Sequence, residues 1–252
     1  MRSASRSATE RDHKVCISAH CGGCKEGGLP PTLEAYERSV ATGAEYVEFD
    51  IRRTSDGEFV VHHDAHVETT GQAIAHLTYT QLCGAAGYDV PRVRDVMELI
   101  AGKATGHLDL KETGYEKEII SLALDVLGPG NFVATTLEDE SIKRIKSAFP
   151  DTRTALSLGR DNSDVPWFKL PLTRWSEFFP LRRLRKCGAD WVAVNHNIGR
   201  LWVLRMTCRK GIGAMVWTVN KDSLIRRRLR DDRVTVLITD YPRRAAAIRS
   251  RA

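Results

Sequence analysis

The sequence has no apolar run long enough to cross a bilayer, so stable membrane insertion is not expected. Its opening, MRSASRSATERDHK, is polar and basic and has no apolar stretch of signal-peptide type behind it. A cytoplasmic location is the resulting expectation. Cysteine is sparse, at six residues, and only Cys21-Gly-Gly-Cys24 has C-x-x-C spacing. With no second pair at a zinc spacing, a structural zinc site is not expected, and the thiols read as free ones in a reducing compartment. A dinucleotide fingerprint is also missing, because the glycine-rich run 22–27, GGCKEG, does not have the G-x-G-x-x-G spacing.

Charge is present but unequal, with 38 Lys and Arg against 32 Asp and Glu, a net of +6. Such a balance suits nucleic acid, anionic lipid or a phosphorylated substrate. The arginines, however, fall in separate clusters at 182–186, 226–230 and 243–251. These read as solvated helix faces, and nucleic acid is not an expected partner. A hydrophobic content of 42% over 252 residues is enough for one substantial core.

Residues 1–13 read as a disordered basic tail, and 14–252 as one domain. Strand-like segments are expected at 15–19, 46–51, 58–63, 106–111, 132–136, 152–158, 191–195, 214–219 and 235–238. Helical ones are expected at 33–42, 92–101, 116–127, 140–148, 173–186, 201–209 and 223–229, with a helical C-terminal segment. Residues 65–90 read as irregular apart from a short helix at 78–83, and 161–172 as irregular. Strands alternating with helices of this length argue for a parallel sheet with βα crossovers. About eight such units favour an α/β protein of the closed (β/α)8 TIM-barrel type over an open sheet.

The chemistry concentrates between Ser18 and Asp64. His20 and His63 each follow a short apolar run, and Glu48-Phe49-Asp50 lies between them. Glu48 and Asp50 are two apart on one strand and share a face. His62 and His63 point to opposite faces, so only one joins the acids. On a later strand His107, Asp109 and Lys111 share a face as well. Three carboxylates suit a hard divalent cation, Mg²⁺ or Ca²⁺, which would neutralise a phosphate oxygen. The plainer alternative pairs these acids with arginines at a barrel rim. Two histidines near neutral pKa can supply the base and the acid of phosphodiester cleavage. Lys111 either holds a phosphate oxygen or pairs with Asp109 or Glu48.

Seven segments together resemble the glycerophosphodiester phosphodiesterase family. They are Ala19-His20-x-Gly22-Gly23, Thr32-Leu33-Glu34-Ala35-Tyr36, Gly43-Ala-Glu-Tyr-Val-Glu48-Phe-Asp50, Asp56-Gly-Glu-Phe-Val-Val-His-His63-Asp64, Leu108-Asp109-Leu110-Lys111, Val216-Trp217-Thr-Val-Asn220 and Ile238-Thr-Asp240-Tyr-Pro242. The resemblance implies a TIM barrel that hydrolyses phosphodiesters with a divalent metal. It implies catalytic roles for His20 and His63, and metal binding by Glu48, Asp50 and Asp109. Lys111 falls on the lysine of the family's third-carboxylate strand, and Trp217 beside the substrate. The implied substrate is a glycerophosphodiester-type small molecule. An unusual phosphodiester or a lysophospholipid, with cyclisation instead of hydrolysis, is an alternative, as is a catalytically silent barrel that binds phosphorylated ligands.

Three departures stand out. The family's H-R-G reads His20-Cys21-Gly22, so a phosphate-binding guanidinium becomes a thiol. Cys21 then reads as a small residue at the phosphate subsite that reshapes the pocket, or as a nucleophile. The family's P-E-N-T reads Leu29-Pro30-Pro31-Thr32, and Glu26 is the residue that can replace the lost acid. The third carboxylate, Asp109, is one methylene shorter than the usual glutamate. Residues 161–179 carry Trp167, Phe168, Trp175, Phe178 and Phe179 beside Lys169 and Arg174, and read either as a recognition segment for the alcohol part of the substrate or as a packed linker.

Overall fold

The structure is a computed structural model and describes residues 14–28, 30–159, 179–198 and 202–251. The tail 1–13 and the aromatic segment up to Phe178 lie outside the described residues, with the expected irregular stretch and the first part of the basic helix. The described strands are β1 (Cys16–Ala19), β2 (Tyr46–Arg53), β3 (Phe59–Val61), β4 (Thr105–Leu110), β5 (Phe132–Thr136), β6 (Thr154–Leu158), β7 (Trp191–Asn195), β8 (Gly213–Trp217) and β9 (Val236–Thr239). All but β3 pair in parallel in the order β1-β9-β8-β7-β6-β5-β4-β2, and β1 pairs with β2 to close the barrel. The expected (β/α)8 barrel is therefore present.

The segment at 58–63 plays a different part from the other strands. β3 runs antiparallel to β2, with Ile51 opposite Val61 and Arg53 opposite Phe59, and is no stave of the barrel. The turn Ser55-Asp56-Gly57 explains this. A parallel return needs a crossover of a dozen or more residues, and a short turn can only make a hairpin. Thr54 Oγ1 donates to Asp56 Oδ1 at 2.6 Å and fixes that turn. The excursion that follows is more ordered than expected. It contains a helix, Tyr79–Ala86, begun by a reciprocal cap between Thr78 and Gln81. Its own small core holds Val60, Val67, Ile74, Leu77, Leu82 and Val90.

Residue parity along the strands sorts the core into two shells. Odd positions of β1, such as Ile17 and Ala19, and even positions of β4, such as Leu108 and Leu110, face outward to the helices. Helix Val93–Ile100 answers with Val93, Val96, Met97 and Ile100, all fully buried at helical spacing. Each such side chain contributes about 1.5–3 kcal/mol by burial. The opposite parity lines the interior. Toward the strand N-termini it is apolar, with Tyr46, Val133, Ala155, Ala193, Met215 and Val236. Farther along the same strands it becomes polar: Glu48 and Asp50 on β2, His107 and Asp109 on β4, Thr135 on β5.

The arginine clusters are mostly solvated faces, but each has a member turned inward: Arg183 pairs with Asp139 at 2.6 Å, Arg249 with Glu45 at 2.9 Å, and Arg228 is the most buried. Arg228 is 3% exposed and pairs with Asp231 at 3.1 Å, because its helix turns that position inward beside Ile225. No described helix is long and apolar enough to cross a membrane.

A buried polar layer separates the apolar floor from the acidic mouth. His107 is 3% exposed, with Nδ1 3.2 Å from Ser18 Oγ and Nε2 3.1 Å from Thr135 Oγ1. Burial disfavours its cation and lowers its pKa to about 4. His107 thus stays neutral in the fold while the unfolded chain binds a proton near pH 6.5. Its contribution to stability is complete above that pH and declines as pH falls toward 4, by about 2 kcal/mol at pH 5. In urea unfolding at pH 7 and pH 5, the loss on acidification should be smaller in His107→Gln than in the wild type. Equal losses would contradict this assignment.

Candidate active site

β2 and β4 lie side by side with Asp50 in register with Asp109 and Glu48 with His107. That register brings three carboxylates into one group. Ligand oxygens of Glu48, Asp50 and Asp109 lie within 4.8 Å of one another. Glu48 and Asp50 are each 2% exposed. Lys111, two residues past Asp109, places Nζ 2.6 Å from Asp109 Oδ2 and 2.8 Å from Asp50 Oδ1. Among the described residues the acids therefore face a lysine and the loop backbone, not rim arginines. Of the two lysine partners expected, Asp109 is found, and Asp50 stands where Glu48 was named.

One lysine does not balance three carboxylates. Burial opposes the charge of Asp50, but Lys111 outweighs it and holds Asp50 at about 2. Glu48 is left with burial and the negative field of Asp50, which push it up to about 8. The donor set, hard oxygens with an unbalanced negative charge, fits a divalent cation such as Mg²⁺ or Ca²⁺.

His20 follows β1 and meets this group from the other side. Its Nδ1 lies 2.6 Å from Asp240 Oδ1. Burial works against its charge, yet the Glu48 carboxylate, the hydrogen bond to Asp240 and Asp50 together raise its pKa to about 9. Asp240 is itself held by Asn220, whose Nδ2 donates to Oδ2 at 2.7 Å, and by Lys25 at 3.2 Å. Asn220 Oδ1 accepts the Asp240 backbone N–H at 3.1 Å, so Asn220 holds both the main chain and the side chain of Asp240.

His63 arrives from the β2–β3 hairpin, just beyond the strand, and is more open. Its Nδ1 is 2.7 Å from Asp64 Oδ1, and its ring is 59% exposed. Arg52, which shares the β2 face of Glu48 and Asp50, grips this segment from below. Its Nε and Nη2 donate to His63 O at 3.1 and 2.9 Å, and Nη1 donates to Glu112 Oε1 at 2.8 Å. His62 instead places Nδ1 3.0 Å from Asp64 O.

Several of these groups line a cavity of about 410 Å³ at the C-terminal ends of the strands. Among its walls are His20, Glu48, His63, Asp109, Lys111 and, at the end of β8, Trp217. Opposite the indole stands Gly159; a Cβ there would come within 3.3 Å of the ring.

Cys21 lies beside this cavity rather than among its walls. Its N–H donates to Glu48 Oε2 at 2.6 Å and its thiol to Asp50 Oδ2 at 3.4 Å. Burial, then the charges of Glu48 and Asp50, push the thiol pKa well above its ordinary value, which disfavours the thiolate a nucleophile needs. The next residue, Gly22, has φ +61°, and a Cβ there would stand 2.7 Å from the Tyr36 ring. The loop can therefore wrap Tyr36 only with glycine at this position. Glu26 does not stand in for the missing acid. It accepts from the N–H groups of Arg243 and Arg244 at 3.0 and 3.2 Å, and so caps the start of helix Pro242–Ser250, where a carboxylate is favoured.

Sequence reasoning assigned no role to Asp240, Asn220 or Arg52. A signal for two of them was available. Asp240 continues the inward parity of Val236 and Ile238, and Arg52 that of Glu48 and Asp50.

In the metal-free protein, Asp240→Asn should lower the His20 pKa by on the order of one unit, followed by NMR titration of the ring protons. The sign of the shift is fixed by charge: removing an anion from Nδ1 makes the imidazolium less favourable. An unchanged or higher value would contradict the role given to Asp240.

The chain is similar to known proteins in sequence and in fold. The sequence profile of the Glycerophosphoryl diester phosphodiesterase family matches residues 25–244. The Bacillus subtilis (strain 168) protein YhdW, which carries a glycerophosphodiester phosphodiesterase name, is 24% identical over 246 residues, covering 90% of this chain and 94% of its own. The crystal structure of a glycerophosphodiester phosphodiesterase from Parabacteroides distasonis is similar at a TM-score of 0.76 and 19% identity, over 95% of this chain and 98% of that one. An Oleispira antarctica phosphodiesterase, solved in complex with the product sn-glycerol-3-phosphate, is similar at a TM-score of 0.71 and 18% identity, over 93% of this chain and 96% of that one. The family profile covers most of the barrel, β2 to β9 included, and on that match the chain belongs to the glycerophosphoryl diester phosphodiesterase family of phosphoric diester hydrolases.

Proposed function

We propose that this protein hydrolyses a glycerophosphodiester-type small molecule with a divalent cation, Mg²⁺ or Ca²⁺, and two histidines. The observation that carries the reading is the close group of Glu48, Asp50 and Asp109 with His20 and His63 in the walls of the same cavity. Held by the three carboxylates, the cation would supply positive charge to a non-bridging phosphate oxygen and polarise phosphorus. This need is sharpened by the missing arginine. Of the cationic side chains in the cavity wall, Lys111 is committed to Asp50 and Asp109, and Arg52 to Glu112 and the His63 carbonyl.

The histidines supply the proton traffic. Asp240 takes the Nδ1 side of His20, which leaves Nε2 for the substrate. Asp64 does the same for His63. One imidazole accepts the proton of the attacking hydroxyl while the other donates to the departing alkoxide. The attacking group is water, or a neighbouring substrate hydroxyl that gives a cyclic phosphate which water then opens. Trp217 offers the non-reacting part of the substrate an apolar wall, and Lys111 keeps the carboxylates in place.

Incubation with glycerophosphodiesters and lysophospholipids, with Mg²⁺, Ca²⁺ or EDTA, followed by phosphorus NMR, tests this reading. Loss of a diester signal and growth of a monoester, both abolished by EDTA, is the expected result. A cyclic phosphate that persists would favour the cyclising alternative. His20→Gln and His63→Gln should each lower kcat by about 10²-fold or more. Cation binding without turnover across the panel would overturn the proposal in favour of a phosphate-binding barrel.

A further inference from the structure

His20 and His63 are held in different ways. His20 is fixed through its side chain, by a carboxylate that Asn220 and Lys25 hold in turn. His63 has no such support. Its ring is 59% exposed and its partner Asp64 is 70% exposed, and among the described residues their side chains hydrogen-bond only each other. Two exposed side chains joined in this way keep their rotamer freedom unless the chain beneath them is fixed. A proton-transfer group must nevertheless stay within hydrogen-bond reach of the proton it moves.

The chain beneath them is fixed at its peptide groups. Arg52 closes Nε and Nη2 on the His63 carbonyl. His62 Nδ1 lies 3.0 Å from the next carbonyl, that of Asp64, and since a carbonyl can only accept, the ring nitrogen is the donor. These two contacts set the peptide planes on either side of the Asp64 Cα. They therefore direct the carboxylate that holds His63 Nδ1. The arginine itself sits at a rigid place, 9% exposed in the cavity wall and two residues beyond Asp50 on β2. Its other partner, Glu112, directly follows Lys111, which binds Asp50 and Asp109. The Glu112 N–H donates to Tyr115 Oη at 3.3 Å, and that hydroxyl donates to Ile51 O at 2.6 Å. A short path thus runs from the carboxylates through Lys111, Glu112 and Arg52 to His63.

We infer that Arg52 is a positioning residue for the proposed reaction: through the His63 carbonyl it holds the His63–Asp64 pair in a fixed relation to the three carboxylates, and His62 completes the hold at the Asp64 carbonyl. The inference rests on the proton-transfer role proposed for His63. A guanidinium fork matches carboxylate and phosphate geometry, but here all three of its nitrogens are engaged within the protein. Arg52 therefore acts on His63 and not on the substrate phosphate.

Nitrogen-15 NMR of the imidazoles in the full-length, metal-free protein, at a pH above the ordinary histidine range, tests the hold without reference to turnover. His63, identified by the signals missing from His63→Gln, should carry its proton on Nδ1 in the wild type. In Arg52→Met its two nitrogen shifts should move toward each other, as the bond to Asp64 loosens and the tautomers mix. Arg52→Lys keeps the charge beside Glu112 but has a single nitrogen to bond with; it should shift in the same direction, and it carries the test where Arg52→Met does not fold. Shifts identical to those of the wild type in a folded variant overturn the inference. Under Mg²⁺-supported turnover, Arg52→Met should lower kcat by about tenfold or more. KM should change by less than about threefold, and a raised KM with kcat kept would place Arg52 on the substrate and overturn the inference. In a His63→Gln background the same substitution should lower kcat by about twofold at most, since the group it positions is gone; an undiminished loss overturns the inference. A wild type without turnover would instead count against the hydrolase reading and leave the nitrogen shifts to decide whether Arg52 holds His63.

Discussion

Three carboxylates gathered at the mouth of a barrel, two of them almost wholly buried, are the costliest feature of this fold. An ion withdrawn from water needs a partner close by, or it gives up its charge. Lys111 answers for Asp50 and Asp109, and Glu48 is pushed toward the neutral acid. The neighbouring parts of the site can be understood as responses to this excess of negative charge. His20 gains its proton affinity from it, the Cys21 backbone donates into it, and a divalent cation fits it.

The barrel makes such a concentration possible because it sorts side chains by parity and by height. Alternate residues of each strand face outward and build the apolar shell with the helices. The inward set then divides along the axis. Its lower part is packed with apolar side chains, and the Ser18–His107–Thr135 layer separates that floor from the acids. Parallel strands bring their C-terminal ends to one face, so residues far apart in the chain meet there. His20 and Asp240, 220 residues apart, touch at 2.6 Å for this reason.

Much of this was legible in the residues. The alternation of strands and helices gave the barrel, and the spacing of Glu48 and Asp50 placed both on the inner face. What resisted reading was less periodic. The 58–63 strand has an ordinary strand composition, and only the shortness of the preceding turn excludes it from the parallel set. Glu26 looked available to the site, but a nearby helix start claims it, and contacts of that kind depend on where the chain returns. Asp240 and Arg52 continue inward patterns beyond the apolar residues that define a strand, where periodicity is weakest as a guide. The hydrogen bond from the Cys21 thiol to Asp50 was not legible either, because it follows from the left-handed backbone of a tight loop, which strand periodicity does not address.

The central claim is that Glu48, Asp50 and Asp109 form a cation site whose charge the protein alone does not balance. Titration calorimetry of the metal-free protein with Mg²⁺ and Ca²⁺, in wild type and Asp109→Asn, addresses it most directly. The account predicts one saturable site in the wild type, with affinity lowered at least tenfold in the variant. Absence of binding in a folded wild type, or equal binding in both proteins, would contradict it.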